Sequence, residues 1–322
     1  MTLTALAQPS TSVGGHAPTL QDLLPGLEGG AASPWCQRWT DHEMSWRHVS
    51  EGGFDQRRYF VEAIRESEAQ LFCAEHHYAG TSFPAALRSY GLIETDTRRL
   101  VGAVVLGVPP SEKVLTTAFP TLEPYRESAV LARLTCLDSV PSNAESFFLA
   151  RVFEQARQVG LRGLVSFADP QPRRDRSGRL VLPGHVGIVY QALGNATYTG
   201  RATPRTINLM PDGTVLNDRM LQKIRRQETG HAYAETRLLD AGARPRRNGE
   251  DPAAWLRVAL DAAGVRKIRH RGLHRYLFSL GTPAERRRLP LGYEPVTYRP
   301  KQADPEAWRD SKALAERGAE ER

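Results

Sequence analysis

The stretch from Leu164 to Gly200, LVSFADPQPRRDRSGRLVLPGHVGIVYQALGNATYTG, decides how the chain reads. LVSFADP is a short apolar run with polar stops at Ser166 and Asp169, as a buried strand has when it delivers side chains to a sheet edge. From Gly184 onward, Val186, Val189, Tyr190 and Leu193 take the i, i+3, i+4, i+7 positions of one helix face, and Gly194 and Asn195 suit its end. Ala196 to Gly200 resumes as a strand. The unit is strand, insert, helix, strand, with polar residues gathered at the junction where open α/β sheets bind ligands.

Working outward toward the N-terminus, Val130 to Asp138 (VLARLTCLD) and Leu100 to Val108 (LVGAVVLGV) read as buried strands. Arg133 inside the first of these needs its charge matched, either by an acid such as Asp169 or by an anionic ligand. Ser142 and Glu145 form an S-x-x-E capping box for a helix over Phe147 to Val159. Asn143 and Ser146 are not needed for that cap and lie one turn apart, where helix-terminal N–H groups could join them in holding an anion or oxyanion. A further helix is expected from Phe54 to Phe72, with Phe60, Val61, Ile64 and Leu71 on its apolar face. It leads into a loop with His76, His77 and Tyr78. Adjacent histidines suit a metal or a neutral-pH base, but no HxxxH or HxH partner is near, so structural or surface histidines explain them as well.

Toward the C-terminus the insert Gln171 to Pro183 carries RRDRSGR, which reads as a solvated hairpin or as a loop facing nucleic acid. Helices follow at Asn217 with Lys223, Arg225 and Arg226, at Ala232 to Asp240, and at Ala253 to Ala263 behind the Asp251-Pro252 cap. Val265 to Leu280, VRKIRHRGLHRYLFSL, reads as a basic strand able to contact phosphates through Arg269, Arg271 and Arg275.

The 322 residues are 40% hydrophobic and 25% charged, so the chain can bury a sizeable core. The formal net charge is +7, but residues 201–300 alone hold 20 Lys and Arg against 10 Asp and Glu. That imbalance points to a polyanionic partner. Cys36, Cys73 and Cys136 form no CxxC pair and fit a reducing compartment as small core residues. Residues 1–33 lack a hydrophobic period and are expected to be disordered. Residues 34–205 are expected to form the core, 206–300 a basic extension completing the fold, and 301–322 a charged tail. With no signal-like segment or long apolar run, a cytoplasmic protein without a membrane span is expected. No P-loop, GxGxxG, HExxH or GxSxG is present, so P-loop phosphoryl transfer and dinucleotide chemistry lose most of their support.

LARLTCLDSVPSNAESFFLAR, LVSFADP and GHVGIVYQALGNATYTGR together resemble the Mom family of phage DNA-modification proteins. The resemblance spans about Phe72 to Arg205, with a weaker match in the basic strand. It implies a fold of the GCN5-related N-acyltransferase type, an α/β mixed sheet flanked by helices, here with a basic α+β extension. It further implies conversion of adenine in double-stranded DNA to its N6-carbamoylmethyl form, which protects DNA from restriction. Carried over by position, the family's functional residues fall on His77, Tyr78, Arg133, Ser146, Asp169 and Tyr190. Ser166, His185 and Asn195 stand in the same motifs, and with Asn143 they make a candidate substrate-binding set.

Phe167 stands where the family usually has tyrosine, and 13 residues separate Pro170 from Gly184 where the family runs straight on. The arginine-glycine pyrophosphate loop of ordinary acetyltransferases is missing after the Arg133 strand. The donor is therefore open to acyl-CoA or another glycyl or acyl donor, and the family admits iron. Metal ligands and oligomeric state are not legible. In this reading Asp169 is the base or adenine-edge acceptor. Tyr190 is a proton donor to the leaving group or a core residue, and Tyr78 or Phe167 stacks on an extruded base. An N-acyltransferase for a small amine or protein, and a non-catalytic DNA-binding protein, are the alternatives.

Overall fold

The computed structural model describes residues 35–40, 43–51, 53–80 and 82–297, so the segment 1–33 and the tail 301–322 lie outside the described residues. Its centre is a seven-stranded sheet built from β3 (Tyr59–Ala63), β4 (Ala86–Glu94), β5 (Leu100–Gly107), β6 (Ser128–Cys136), β7 (Gly163–Ala168), β10 (Ala196–Arg201) and β14 (His274–Ser279). The spatial order is β10-β14-β7-β6-β5-β4-β3. The β6–β7 pair is parallel and the remaining neighbours are antiparallel. Strand β14 comes from the basic part of the sequence, yet it lies between β10 and β7.

Period-2 alternation sends one side of each central strand to each face. On β5, Val104 and Leu106 face helix α3 (Ala144–Gln158), which buries Phe148, Leu149, Val152, Phe153 and Ala156 against them. Ala103 and Val105 face α1 (Glu66–His76), which buries Ala69, Phe72 and Cys73. Helix α2 (Lys113–Ala118) shares that second face through Leu115 and Ala118, which pack on Val130, Val165 and Leu277. The fold is thus the expected mixed sheet flanked by helices.

Outside the sheet stand an N-terminal hairpin, β1 (Trp35–Thr40) with β2 (Glu43–His48), and a small hairpin, β8 (Arg173–Arg174) with β9 (Leu180–Leu182). A three-stranded sheet has the order β12-β11-β13, from β11 (Arg205–Leu209), β12 (Val215–Leu216) and β13 (Arg266–His270). It accompanies helices α5 (Asp218–Arg226), α6 (His231–Asp240) and α7 (Pro252–Ala262), whose own core centres on Trp255, Leu216 and Ile224.

Four sequence expectations are corrected. The helix over Phe54 to Phe72 is instead strand β3 followed by α1, because Tyr59, Phe60 and Val61 pair with β4 and sheet pairing overrides the local helical period. The helix beginning at Gly184 is only α4 (Ile188–Gln191), since Gly184 and Gly187 adopt φ of 74° and 78°, which no right-handed helix contains. Ser142 and Glu145 make no capping box: the N-cap is Asn143 at φ 70°, and Glu145 turns to Arg38. The basic strand Val265 to Leu280 is two strands in different sheets, parted at Gly272, whose φ is 93° and whose added Cβ would lie 2.0 Å from the Ala202 carbonyl oxygen.

Candidate active site

The parallel pairing of β6 with β7 stops at Leu131 and Ser166, but β6 continues to Cys136 against β5. The two strands part there, at their carboxyl ends, and the gap becomes a cavity of about 210 Å³. Strand β6 contributes Arg133, the end of α1 leads to His77 and Tyr78, and the start of α3 brings Asn143, Glu145 and Ser146. Phe167 comes from β7, while His185 and Tyr190 come from the segment around α4, and the β1–β2 hairpin closes the remaining side.

Burial holds the cavity's imidazoles and phenols neutral. Burial, with Arg133 and His185 adding to it, keeps His77 well below the usual imidazole range. Its Nδ1 accepts the Ala79 N–H at 3.0 Å, so the neutral ring carries its proton on Nε2. Burial pushes His185 down to about 4, with Asp169 opposing in part. Its Nε2 lies 3.5 Å from the Tyr78 hydroxyl. Burial raises the Tyr78 phenol, as does nearby Tyr190. Burial likewise raises Tyr190, against a hydrogen bond with Ser166. Both phenols are therefore proton donors at neutral pH.

Arg133 is the cavity's open cation. It donates to the carbonyls of Ala132 at 2.8 Å and Ser82 at 2.7 Å, while its Nε is buried with no hydrogen-bond partner among the described residues. It does not pair with Asp169. Asp169 lies off the cavity wall, and three donors take its carboxylate: His270 Nε2 at 2.9 Å, Arg173 at 3.2 Å and the Gln171 N–H at 3.0 Å. Its carboxylate thus ties the end of β7 to the insert and to β13. The insert is a hairpin, as one of the two readings had it, and it packs on the extension: the Arg176 N–H donates to the Pro211 carbonyl at 2.7 Å.

The structure brings His77, Tyr78, Arg133, Asn143, Ser146, His185 and Tyr190 to one cavity. Ser166 is fully buried behind Tyr190 and donates to the Leu131 carbonyl at 3.2 Å. Asn195 is elsewhere, in a shallow depression with Arg157 and Thr282. Arg269 and Arg271 are exposed. Arg275 is half-buried, with its guanidinium 3.3 Å from the centre of the Tyr293 ring and donating to Thr199, so it does not share their face.

Sequence reasoning missed Trp35, Trp39, Trp46 and Arg38, which line the cavity from the hairpin. Arg38 Nε lies 2.6 Å from Glu145 Oε1, with side chains 2% and 9% exposed. The same guanidinium donates to the carbonyls of Leu137, Val140 and Pro141, and Arg47 caps the Asp138 carbonyl. The β6–α3 loop therefore turns carbonyl acceptors toward two arginines. The described residues contain no group of three His, Cys, Asp or Glu side chains able to hold a metal ion. The described residues thus do not fit an iron site.

Among the described residues no helix is long and apolar enough to cross a membrane. The model of the Mom protein family matches residues 58–299. Among curated proteins none matches the chain. Two solved structures are similar: a crystal structure assigned as a phosphinothricin N-acetyltransferase, at 7% identity and TM-score 0.28 over 70% of this chain and 99% of its own, and a tandem GNAT protein from the clavulanic acid biosynthesis pathway, at 13% and 0.29 over 70% and 76%. At those scores neither likeness carries an argument.

Proposed function

The chain belongs to the Mom protein family, and from that premise we propose that it is a transferase acting on DNA, converting adenine to its N6-carbamoylmethyl form. The observation that carries this reading is convergence: five residues that the resemblance singled out, His77, Tyr78, Arg133, Ser146 and Tyr190, come from four separate segments of the chain and line one cavity. Reaching an adenine amino group in a duplex requires extrusion of the base, and an aromatic cavity suits an extruded base. The exposed arginines of β13 and the loop after it suit phosphate contacts.

In this reading the adenine N6 proton passes to His185, which is neutral at pH 7 and adjoins the Tyr78 hydroxyl. Tyr190 stays protonated and supplies the proton to the leaving group. The bond that forms joins N6 to the methylene carbon of a carbamoylmethyl donor as that carbon's bond to its leaving group breaks, and Arg133 directs its free Nε at the donor's amide carbonyl. Asp169 is a positioning residue, because its carboxylate oxygens are already occupied. A small-amine acyltransferase has no use for the basic extension, which favours DNA over that alternative.

Mass spectrometry of nucleosides from cells expressing the chain with its native host factors tests the reading. A nucleoside with the mass of N6-carbamoylmethyl-deoxyadenosine is expected, reduced about a hundredfold or more by Tyr190→Phe, the lower range for general acid–base catalysis. Unmodified nucleosides alone would overturn it.

A further inference from the structure

The β1–β2 hairpin precedes residues 58–299, the part matched by the family. It nevertheless forms one wall of the cavity, through Trp35, Trp39 and Trp46 among others. Its seat on the core is fixed by buried Arg38, paired with Glu145 at the start of α3, and by Gln37, which donates to the Gly184 carbonyl at 3.2 Å. Trp39 meets Tyr78 edge to face, with ring centres 6.3 Å apart and planes at 81°.

An indole N–H can only donate. Those of Trp39 and Trp46 are buried with no hydrogen-bond partner among the described residues, and Trp46 is only 9% exposed. A buried donor left without an acceptor is destabilising. With Arg133 Nε, the cavity wall holds three such donors. The carboxylate on the cavity wall is spoken for: Glu145 receives Arg38 and the Cys36 thiol. Two of these unpartnered donors sit on neutral aromatic rings, and the rings of Tyr78, Phe167 and Tyr190 stand on other parts of the wall. A planar heteroaromatic ring bearing acceptors complements such a cavity better than a free anion, which would rely on Arg133 alone. About 210 Å³ suits one base, not a base pair.

We propose that the hairpin is a base-reading wall, in which Trp39 and Trp46 donate hydrogen bonds to ring nitrogens of an extruded purine packed among the cavity's aromatic rings. This rests on the reading of the chain as a DNA-modifying enzyme and assigns the reading of the base to a segment outside the matched region. A purine edge offers N1, N3 and N7 as acceptors, and a pyrimidine or a carboxylate presents a different set.

The test uses the full chain and short duplexes carrying one adenine opposite an abasic site, which lowers the cost of extrusion. Companion duplexes replace that adenine by 1-deaza-, 3-deaza- or 7-deazaadenine, each lacking one ring acceptor. Phosphate contacts are the same throughout, so differences in affinity report the cavity. At least one deaza analogue should bind about fivefold to tenfold more weakly, the size of one neutral hydrogen bond. That penalty should vanish in Trp39→Phe or Trp46→Phe, which keep an aromatic ring and lose the donor. The wild-type arm needs no variant, so a poorly folding Trp46→Phe does not remove the test. Equal binding of all four duplexes, or penalties unchanged in both variants, would overturn the proposal. Nucleoside mass spectrometry on the wild type separates the two readings: modified DNA without a deaza penalty sinks the wall and keeps the activity. A penalty that vanishes without any modified nucleoside does the reverse.

Discussion

The cavity and the C-terminal extension use the same residue types to opposite ends. Beside the cavity, Arg38 and Glu145 are 2.6 Å apart with side chains 2% and 9% exposed. In the extension, Arg219 and Glu228 are 2.7 Å apart, but with side chains 59% and 29% exposed. The separations are nearly equal and the surroundings are not. A charge pair shielded from water depends on its partner to offset desolvation, whereas one at the surface is rehydrated when the partner goes. The first arrangement fixes geometry, and the second leaves arginines available to an outside polyanion.

The largest expected difference comes from breaking each pair. Glu145→Leu leaves a buried arginine uncompensated and should destabilise the fold by about 3–5 kcal/mol. Glu228→Leu should change stability by no more than about 1 kcal/mol. Urea unfolding of the two variants beside the wild type measures both, and equal losses would erase the distinction.

A smaller difference concerns pH. Burial holds His185 at about 4 in the folded chain, while an imidazole in the unfolded chain titrates near 6.5. Between those values the unfolded state binds the extra proton, so stability rises with pH. The contribution is complete above about pH 6.5 and is lost as pH falls toward 4. Because His185 is half-buried on the cavity wall, about 2 kcal/mol is expected between pH 7 and pH 4.5, less than the full shift would give. His185→Gln should lower the slope in that window, leaving the part that the likewise depressed His77 and His274 contribute. A slope unchanged by the substitution would show that His185 is hydrated.

What the sequence disclosed follows the same division between local and distant partners. Strands β5, β6, β7 and β10, and helices α5 to α7, are written in apolar runs, caps and periods that need no other part of the chain. Asn217, for instance, accepts the Met220 N–H as its position before the helix implies. Glu145 was misread because S-x-x-E satisfies a local rule, while its partner Arg38 lies 107 residues away. Asp169 was legible as a polar strand end, but not that His270, 101 residues on, would take one of its oxygens. Strand β1 reads Trp-Cys-Gln-Arg-Trp, without a period-2 alternation and too polar for a buried strand. Its available signal was density, with three of the chain's five tryptophans between residues 35 and 46. Convergence of His77, Arg133 and Tyr190 on one cavity depends on β6 and β7 parting, which no sequence period encodes.

The smallest expected effect lies in the extension and is read through salt, not stability. Arg269 on β13 and Arg271 just beyond it are exposed, whereas Arg275 on β14 stacks on Tyr293 and donates to Thr199. If the first two contact phosphates, each releases condensed counterions on binding, and the slope of log affinity against log salt should shrink by about 0.9 for each one removed. Arg269→Gln with Arg271→Gln should therefore lower the slope by roughly 2, weaken binding about uniformly across sequences, and leave unfolding unchanged. Arg275→Gln should instead loosen the packing of β10 on β14 and leave the slope intact. Duplex titrations between about 50 and 200 mM salt distinguish them. A slope that responds to Arg275 but not to the other two would put the phosphate face on the main sheet, and the division of labour between cavity and extension would fall with it.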